Sequence, residues 1–318
     1  MKRVLITGAS GFVGTHLARY LQTVTDWELW SFGRDPHPAL PSVTADILDR
    51  EAVMQVVSDV RPDMIVHLAA QAFVPAAFAD PAGTFNINVL GQLNLFQAIV
   101  AAQINPIFLS VISNAIYGMA QANGQPANEQ TPLQPTDPYA VSKAAQDLMA
   151  GQWFYSHKLN VIRARPFNHI GPGQRPDFVV PAFARQIARI ELGLQEPIIR
   201  VGNLEPQRDF SDVRDIVRAY HLILERGNAG DVFNIGSGRT VSIGAILNQL
   251  IALSGHDITV DVDAAKLRPV EVPIVACDAS HLRERTGWQP QFTLEQTLSD
   301  ILHDWRTITR LEAGGERR

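Results

Sequence analysis

Cysteine is nearly missing from this chain. Its 318 residues include one, Cys277, which excludes an intramolecular disulfide and a cysteine-based zinc cluster. An isolated thiol of this kind reads as a small buried hydrophobe. Long apolar runs are missing as well. The N-terminal MKRVLITGAS stops being apolar at Gly8, too early for the core of a signal peptide or for a membrane span. No other run reaches membrane length, so the expectation is a cytoplasmic protein without membrane partners. An excess of basic charge is the third absence: the net charge is −5, which argues against a general nucleic-acid binder. Repeats, low-complexity tracts and long linkers are lacking too. What is present is ordinary for a soluble globular chain, 46% hydrophobic and 19% charged, with length for two domains or one domain and an appended lobe.

The first structured stretch is a strand, Val4–Thr7, followed by Gly8-Ala9-Ser10-Gly11-Phe12-Val13-Gly14 and then a helical pattern with Leu17, Ala18 and Leu21 on one side. Strand, glycine turn and helix make an anion site, because helix N–H groups point at a phosphate and the missing side chains let it approach. The spacing is G-x-x-G-x-x-G, and its position at the opening βα unit favours a dinucleotide over a plain tight turn. The predicted cofactor contacts in this turn are Gly8, Gly11, Phe12, Val13 and Gly14.

A second strand ends in Gly33-Arg34, where an acid would be expected if the site preferred NAD. Without the acid a ribose 2′-phosphate is not repelled, and Arg34 can pair with it; a plain surface arginine is the alternative. The expected cofactor is therefore NADP(H), with NAD(H) tolerated. Asp46, followed by Ile47, can reach an adenine amino group, and Leu68-Ala69-Ala70 at the end of Met64–Leu68 lets a flat ring lie against the backbone. Further strands at Ile107–Ile112 and Asn160–Ala164 alternate with helices, one long stretch covering about Pro81–Ala102 and another following Pro138. That alternation predicts an α/β fold, a doubly wound parallel sheet of Rossmann type, with ligands at the carboxyl ends of the strands. A smaller mixed α/β lobe follows. The expected division is discontinuous: 1–167 plus about 208–239 for the nucleotide-binding domain, about 168–207 plus 240–318 for the substrate lobe. Asp209–Leu224 is read as helix.

Ser113 stands at one of those strand ends, in FLSVISNAIYG. Asp137-Pro138 opens a helix whose Tyr139 and Lys143 are spaced i, i+4 on one face. A nearby ammonium favours the phenolate, which would make Tyr139 an acid or base usable near neutral pH. Ser113 would hydrogen-bond the same substrate oxygen while hydride moves between nicotinamide and carbon. His67 and His169 lack metal-like partners and read as structural, and no metal is expected.

TGASGFVG (Thr7–Gly14), HLAAQ (His67–Gln71), NVLGQLNLFQA (Asn88–Ala98), YAVSK (Tyr139–Lys143), RPFNHIGPGQ (Arg165–Gln174), the Val201–Tyr220 run and VFNIGSG (Val232–Gly238) together resemble the extended short-chain dehydrogenase/reductases acting on nucleotide sugars. Within that family, RPFNHIGPGQ, VGNLE…RDF…DVRD and LRPVEVP are most similar to the GDP-4-keto-6-deoxy-D-mannose reductases, which form GDP-D-rhamnose. The resemblance implies a GDP-sugar substrate. Asn168 would touch the diphosphate region, Arg208 and Arg268 would clamp the phosphates, and Glu271 would bind the nucleotide's ribose. It also implies a homodimer through a four-helix bundle, with Val89, Leu93, Phe96, Ile99, Trp153 and Phe154 as its apolar core. The dehydratases of this family carry an acid after the catalytic Ser or Thr, used to eliminate water across C5 and C6; Asn114 and Ala115 stand there instead. The redox half of the chemistry is kept and the elimination half is not. A nucleotide-sugar 4-epimerase, a relative of the GDP-mannose 4,6-dehydratases and a non-catalytic NADP(H)-binding protein remain as alternatives, and the face on which C4 receives hydride, rhamnose against 6-deoxytalose, stays open.

Overall fold

The computed structural model describes residues 1–263 and 272–315. The first half runs β1 (Arg3–Thr7), α1 (Phe12–Val24), β2 (Glu28–Gly33), β3 (Ser42–Thr44), α2 (Arg50–Val60), β4 (Met64–His67), α3 (Val74–Ala79), α4 (Pro81–Phe85), a π-helical turn (Asn86–Leu90), α5 (Gly91–Ala101), β5 (Ile107–Val111), a kinked 3₁₀ segment (Asn114–Gln121) and α6 (Pro138–His157). The second half runs β6 (Val161–Pro166), β7 (Asn168–Ile170), α7 (Val179–Glu191), β8 (Ile198–Val201), β9 (Gln207–Asp212), α8 (Val213–Arg226), β10 (Val232–Ile235), β11 (Thr240–Ser242), α9 (Ile243–Ser254), β12 (Thr259–Val262), β13 (Ile274–Val275), α10 (Ser280–Thr286) and α11 (Leu294–Gly315).

Seven parallel strands form the large sheet in the order β10-β6-β5-β4-β1-β2-β3. This is the doubly wound arrangement, with its reversal of strand order beside β1. Its central strands, such as β1 and β4, are mostly apolar because both faces are covered. One face buries Leu17 and Leu21 of α1 against Ile216, Val217, Tyr220, Ile223 and Leu224 of α8. The other buries α2, α5 and α6 through residues such as Val53, Leu95, Phe96 and Ala150. A second core joins α7, α9 and α11 to β8 and β9, and a small sheet is ordered β11-β9-β13, with β7 on β9.

Two local readings change. Asp209–Asp212 is strand, and the helix starts at Val213 because the Asp212 carboxylate caps it, accepting from Arg214 N at 2.8 Å. The crossing back to the large sheet therefore falls at Asp212–Val213. The apolar residues of α5 and α6 also divide differently from the expected bundle core. Phe96 and Ile99 are fully buried in the large-sheet core, Trp153 packs against the same core, and Phe154 lies over Gly230. The outward face carries Phe85, Leu90, Val141, Leu148 and Tyr155, the last two 62% and 70% exposed. Cys277 is buried, as a small hydrophobe.

Candidate active site

The carboxyl ends of β1, β2, β3 and β4 form one rim. At β1 the chain turns through Gly8, whose φ of +71° suits only glycine without strain. A Cβ there would sit 2.9 Å from Ala69 N, and a Cβ on Gly14 would sit 2.3 Å from Gly8 O and 2.5 Å from Ala9 Cα. The helix is thus pressed onto the turn. Gly11 is the N-cap of α1 and offers no side-chain acceptor, and the first turn holds no acid. The leading N–H groups are left for an anion. Phe12 stacks on His169 at 6.2 Å, and the half-buried Val13 packs on the core. Gly8 N donates to Phe32 O at 3.0 Å, which lays the end of β2 and the exposed Arg34 beside the turn. Asp46 Oδ1 accepts from Leu48 N at 2.9 Å, and the buried Ile47 meets α5 at Gly91, where a Cβ would come within 3.0 Å of it. Leu68 N and Ala69 N donate to Thr7 O and Thr7 Oγ1 at 3.2 and 3.1 Å, closing the rim on half-buried Leu68, Ala69 and Ala70.

Ser113 stands two residues beyond β5, where its Oγ caps the following segment by accepting from Ala115 N at 3.2 Å. Asp137 caps α6 in the same way, accepting from Ala140 N at 2.8 Å, so Pro138 and Tyr139 occupy the first turn and Lys143 the next. Lys143 Nζ donates to Val111 O at 2.8 Å, tying α6 to the strand that delivers Ser113. The three candidate residues therefore converge. Their electrostatics differ from the expectation of a lysine-stabilised phenolate. Burial pushes the Tyr139 phenol up to about 12; the hydrogen bond with Ser113 pulls against that shift and the Asp137 charge adds to it. Burial pulls the Lys143 ammonium down to about 7. His67 is driven down to about 3 by burial and then by the Lys143 charge, so it is a neutral ring, held at Nδ1 by Thr7 Oγ1 at 2.8 Å.

Sequence reasoning missed the clamp behind this cluster. Asp147, one turn beyond Lys143, takes a two-pronged bond from Arg165 on β6, Nε to Oδ1 at 2.9 Å and Nη2 to Oδ2 at 2.8 Å, and a further one from Arg163 at 3.2 Å. Arg165 also donates to Tyr117 OH at 2.9 Å, and that hydroxyl donates to Asn234 at 2.6 Å. The signal was an acid at i+4 from the lysine facing an Arg-x-Arg strand. At the π-helical turn, buried Asn88 bonds both Gln71 and Ser142.

On the other side of the cleft, Asn168 lies on β7 opposite Phe210 of β9, two residues from Arg208, so the two substrate candidates share one small sheet. Arg208 is half-buried and donates to Gln207 O at 2.8 Å and Pro273 O at 3.3 Å. Its neighbour Asp209 is fully buried and holds the Ser237–Gly238 turn through three bonds of 2.7–2.9 Å. Arg268 and Glu271 lie outside the described residues. Among the described residues no group of three or more His, Cys, Asp or Glu is placed to hold a metal, and no helix is long and apolar enough to cross a membrane.

A sheet of this strand order, a glycine turn after its first strand, and Ser, Tyr and Lys meeting at the strand ends define an extended short-chain dehydrogenase/reductase. The sequence profile described as GDP-mannose 4,6 dehydratase matches residues 5–301, and the chain belongs to that family. It is 39% identical over 312 residues to the GDP-6-deoxy-D-mannose reductase of Pseudomonas aeruginosa, covering 98% of this chain and 99% of that protein. The solved structure of RMD from Pseudomonas aeruginosa complexed with NADPH superposes with a TM-score of 0.87 at 38% identity, over 97% of this chain and 100% of that one. A UDP-glucose 4-epimerase of Thermus thermophilus, solved with NAD, gives a TM-score of 0.85 at 26% identity, over 96% of this chain and 99% of that one.

Proposed function

We propose that this protein reduces the C4 ketone of GDP-4-keto-6-deoxy-D-mannose to GDP-D-rhamnose, with NADPH preferred and NADH accepted. The observation that carries this reading is an acid without a partner base. Tyr139 is a protonated phenol at neutral pH, held beside Ser113, and the positions after Ser113 are Asn114 and Ala115. The carboxylate acting on Tyr139, Asp137, already serves as a helix cap. Reduction asks for a proton at the nascent C4 oxygen; elimination across C5 and C6 asks for a base as well. The 39% identity to a GDP-6-deoxy-D-mannose reductase supports the same choice.

The glycine turn fits a dinucleotide: Gly8 and Gly14 let β1, the turn and α1 close on one another, and the N-terminus of α1 has no side-chain cap and no acid in its first turn to compete with a diphosphate. Gly8, Gly11 and Gly14 would hold its diphosphate with Phe12 and Val13 beside it, Arg34 its 2′-phosphate, and Asp46, Ile47, Leu68, Ala69 and Ala70 its adenosine half. When bound it supplies hydride. Tyr139 gives its proton to the substrate oxygen, Ser113 donates a hydrogen bond that fixes that oxygen, and Lys143 stabilises the phenolate left behind. Asn168 and Arg208 would hold the substrate's diphosphate from the small sheet.

The enzyme works in the cytoplasm as a homodimer, α6 and the π-helical turn that leads into α5 pairing with their copies through Leu90, Val141, Leu148 and Tyr155. The function is tested by mixing GDP-4-keto-6-deoxymannose with NADPH: absorbance falls as GDP-rhamnose forms. GDP-mannose with NADP⁺ alone yields no ketone. Accumulation of ketone in that second mixture overturns the assignment in favour of a dehydratase.

A further inference from the structure

Beside Lys143 lies a trio of buried polar side chains that neither the reaction nor the fold obviously requires. Gln92 on α5, Gln146 on α6 and Ser110 on β5 are each 0% exposed. Buried amides of this kind are costly unless every donor and acceptor is matched, and here they are matched in only one orientation. Gln92 reaches the backbone carbonyl of Gln146 at 3.0 Å. A carbonyl can only accept, so the Gln92 atom facing it is Nε2, and the other end of that amide is Oε1. Gln92 Oε1 is met by Ser110 Oγ at 2.5 Å and by the Gln146 side chain at 2.9 Å. The Gln146 atom at that contact is therefore Nε2. Its own Oε1 is thereby turned the other way, onto Lys143 Nζ at 2.8 Å.

Lys143 thus has two fixed acceptors, Val111 O and Gln146 Oε1, both carbonyl oxygens without net charge. The titratable groups that face it are neutral too: His67 from β4 and Tyr139 from its own helix. Burial is the one cause of its lowered pKa, and no carboxylate opposes it. We propose that Gln146, with its amide orientation dictated by Gln92 and Ser110, is a positioning residue for Lys143: it holds the amine in place with a carbonyl dipole while withholding the negative charge that would fix it as an ammonium. The chain spends a buried amide pair where an acid at the same place would be simpler, and the lysine is left able to change its charge as Tyr139 loses and regains its proton. This inference rests on Tyr139 and Lys143 being the proton-handling pair of the proposed reductase.

The sequence makes the test direct. It contains four lysines, Lys2, Lys143, Lys158 and Lys266, so carbon-13 placed at the lysine ε position gives four signals. The one that disappears in Lys143→Arg is assigned to Lys143. Its titration is followed in the full-length protein without cofactor, independently of turnover. Gln146→Met removes an acceptor of the charged form, and the midpoint falls; Gln146→Glu adds a charge, and the midpoint rises, each by about half a unit or more. Gln92→Met frees the Gln146 amide to turn over, and moves the midpoint in the same direction as Gln146→Met. Opposite shifts for the Met and Glu variants support the proposal. Midpoints within about 0.2 units of wild type, or shifts of the same sign for both, overturn it, because a merely structural glutamine gives no sign reversal. Should Gln146→Met fail to fold, Gln146→Glu and Gln92→Met decide by the same criteria. A sign reversal in a protein that never oxidises NADPH would leave the hold of Gln146 on Lys143 standing and remove the reductase reading, with the proton-handling role that depends on it.

Discussion

Tyr139 and Lys143 lie one helical turn apart, yet the amine is bonded to Val111 and Gln146, and burial dominates both groups. The phenol that results is a proton donor at neutral pH. Tyr139→Phe removes that donor and leaves the nucleotide rim intact, so turnover falls by ~10²-fold or more while NADPH affinity stays near wild type. Stopped-flow turnover and a fluorescence titration of NADPH check the two halves; turnover within a few-fold of wild type means the proton comes from elsewhere. Arg34 belongs to the same scale. It is exposed at the end of β2 with no acid at the position usual for NAD selectivity, and a 2′-phosphate is its natural partner. Arg34→Ala weakens NADPH by ~10-fold or more and NADH hardly at all, measured as two dissociation constants; equal losses assign the residue to the loop alone. The residues themselves were legible because their chemistry is tied to spacing: a glycine triplet after a strand, a Tyr and Lys at i, i+4. Their protonation was not, because it depends on which side chains from α5 and β5 close over the lysine, and nothing local in the sequence announces that.

Among the elements, α6 carries the most. Its first turn holds Tyr139, its second Lys143, and Asp147 at the next turn is gripped by Arg165 and Arg163 of β6. The clamp sets the distance between the helix and the strand that leads into Asn168. Breaking it from one side strands a buried guanidinium: Asp147→Asn lowers stability by ~3–5 kcal/mol. The paired change Asp147→Leu with Arg165→Met recovers most of that loss, since an apolar pair avoids the desolvation cost altogether. Urea denaturation of the two variants reads the outcome, and a single variant as stable as wild type means the clamp contributes nothing. The strands and helices around it were read from apolar runs and from capping signals at Asp137-Pro138. The segment Asp209–Asp212 was misread because an aspartate before a helix and an aspartate inside a strand look alike; only the bonds from Ser237 and Gly238 to Asp209 separate them.

For the molecule as a whole, one side of α6 exposes a row of large apolar residues. Val141, Leu148 and Tyr155 recur at seven-residue intervals along one side of α6, and all three are exposed. An exposed apolar stripe of this kind is what the proposed dimer would bury against a copy of itself. Leu148→Arg places a charge in the middle of that stripe and converts the proposed dimer to a monomer, read by light scattering at micromolar concentration. A wild-type mass equal to one chain removes the dimer itself. The sequence pointed to these two helices, but of the residues it named Phe96 and Ile99 are buried in the sheet core while Val89 and Leu93 are half-buried. Both helices are apolar on two faces, and periodicity alone does not say which face meets the sheet.

The pairing of α1 with α8 across the large sheet has a consequence for how this protein comes off the ribosome. Leu17 and Leu21 of α1 emerge first, and their partners Ile216, Val217, Tyr220, Ile223 and Leu224 emerge some two hundred residues later. At ~5–20 residues per second that interval is roughly 10–40 s. Throughout it β1, β2 and β4 are available to pair while the side of the sheet that α8 will cover stays bare. A nascent chain in that state presents apolar surface to whatever is near, and trigger-type chaperones that hold such surface should engage it until α8 arrives. The fragment 1–167, which freezes the same state, will bind a hydrophobic dye and self-associate where the full chain does neither; a dye-silent, monomeric fragment would show that α1 settles on the sheet without its late partner.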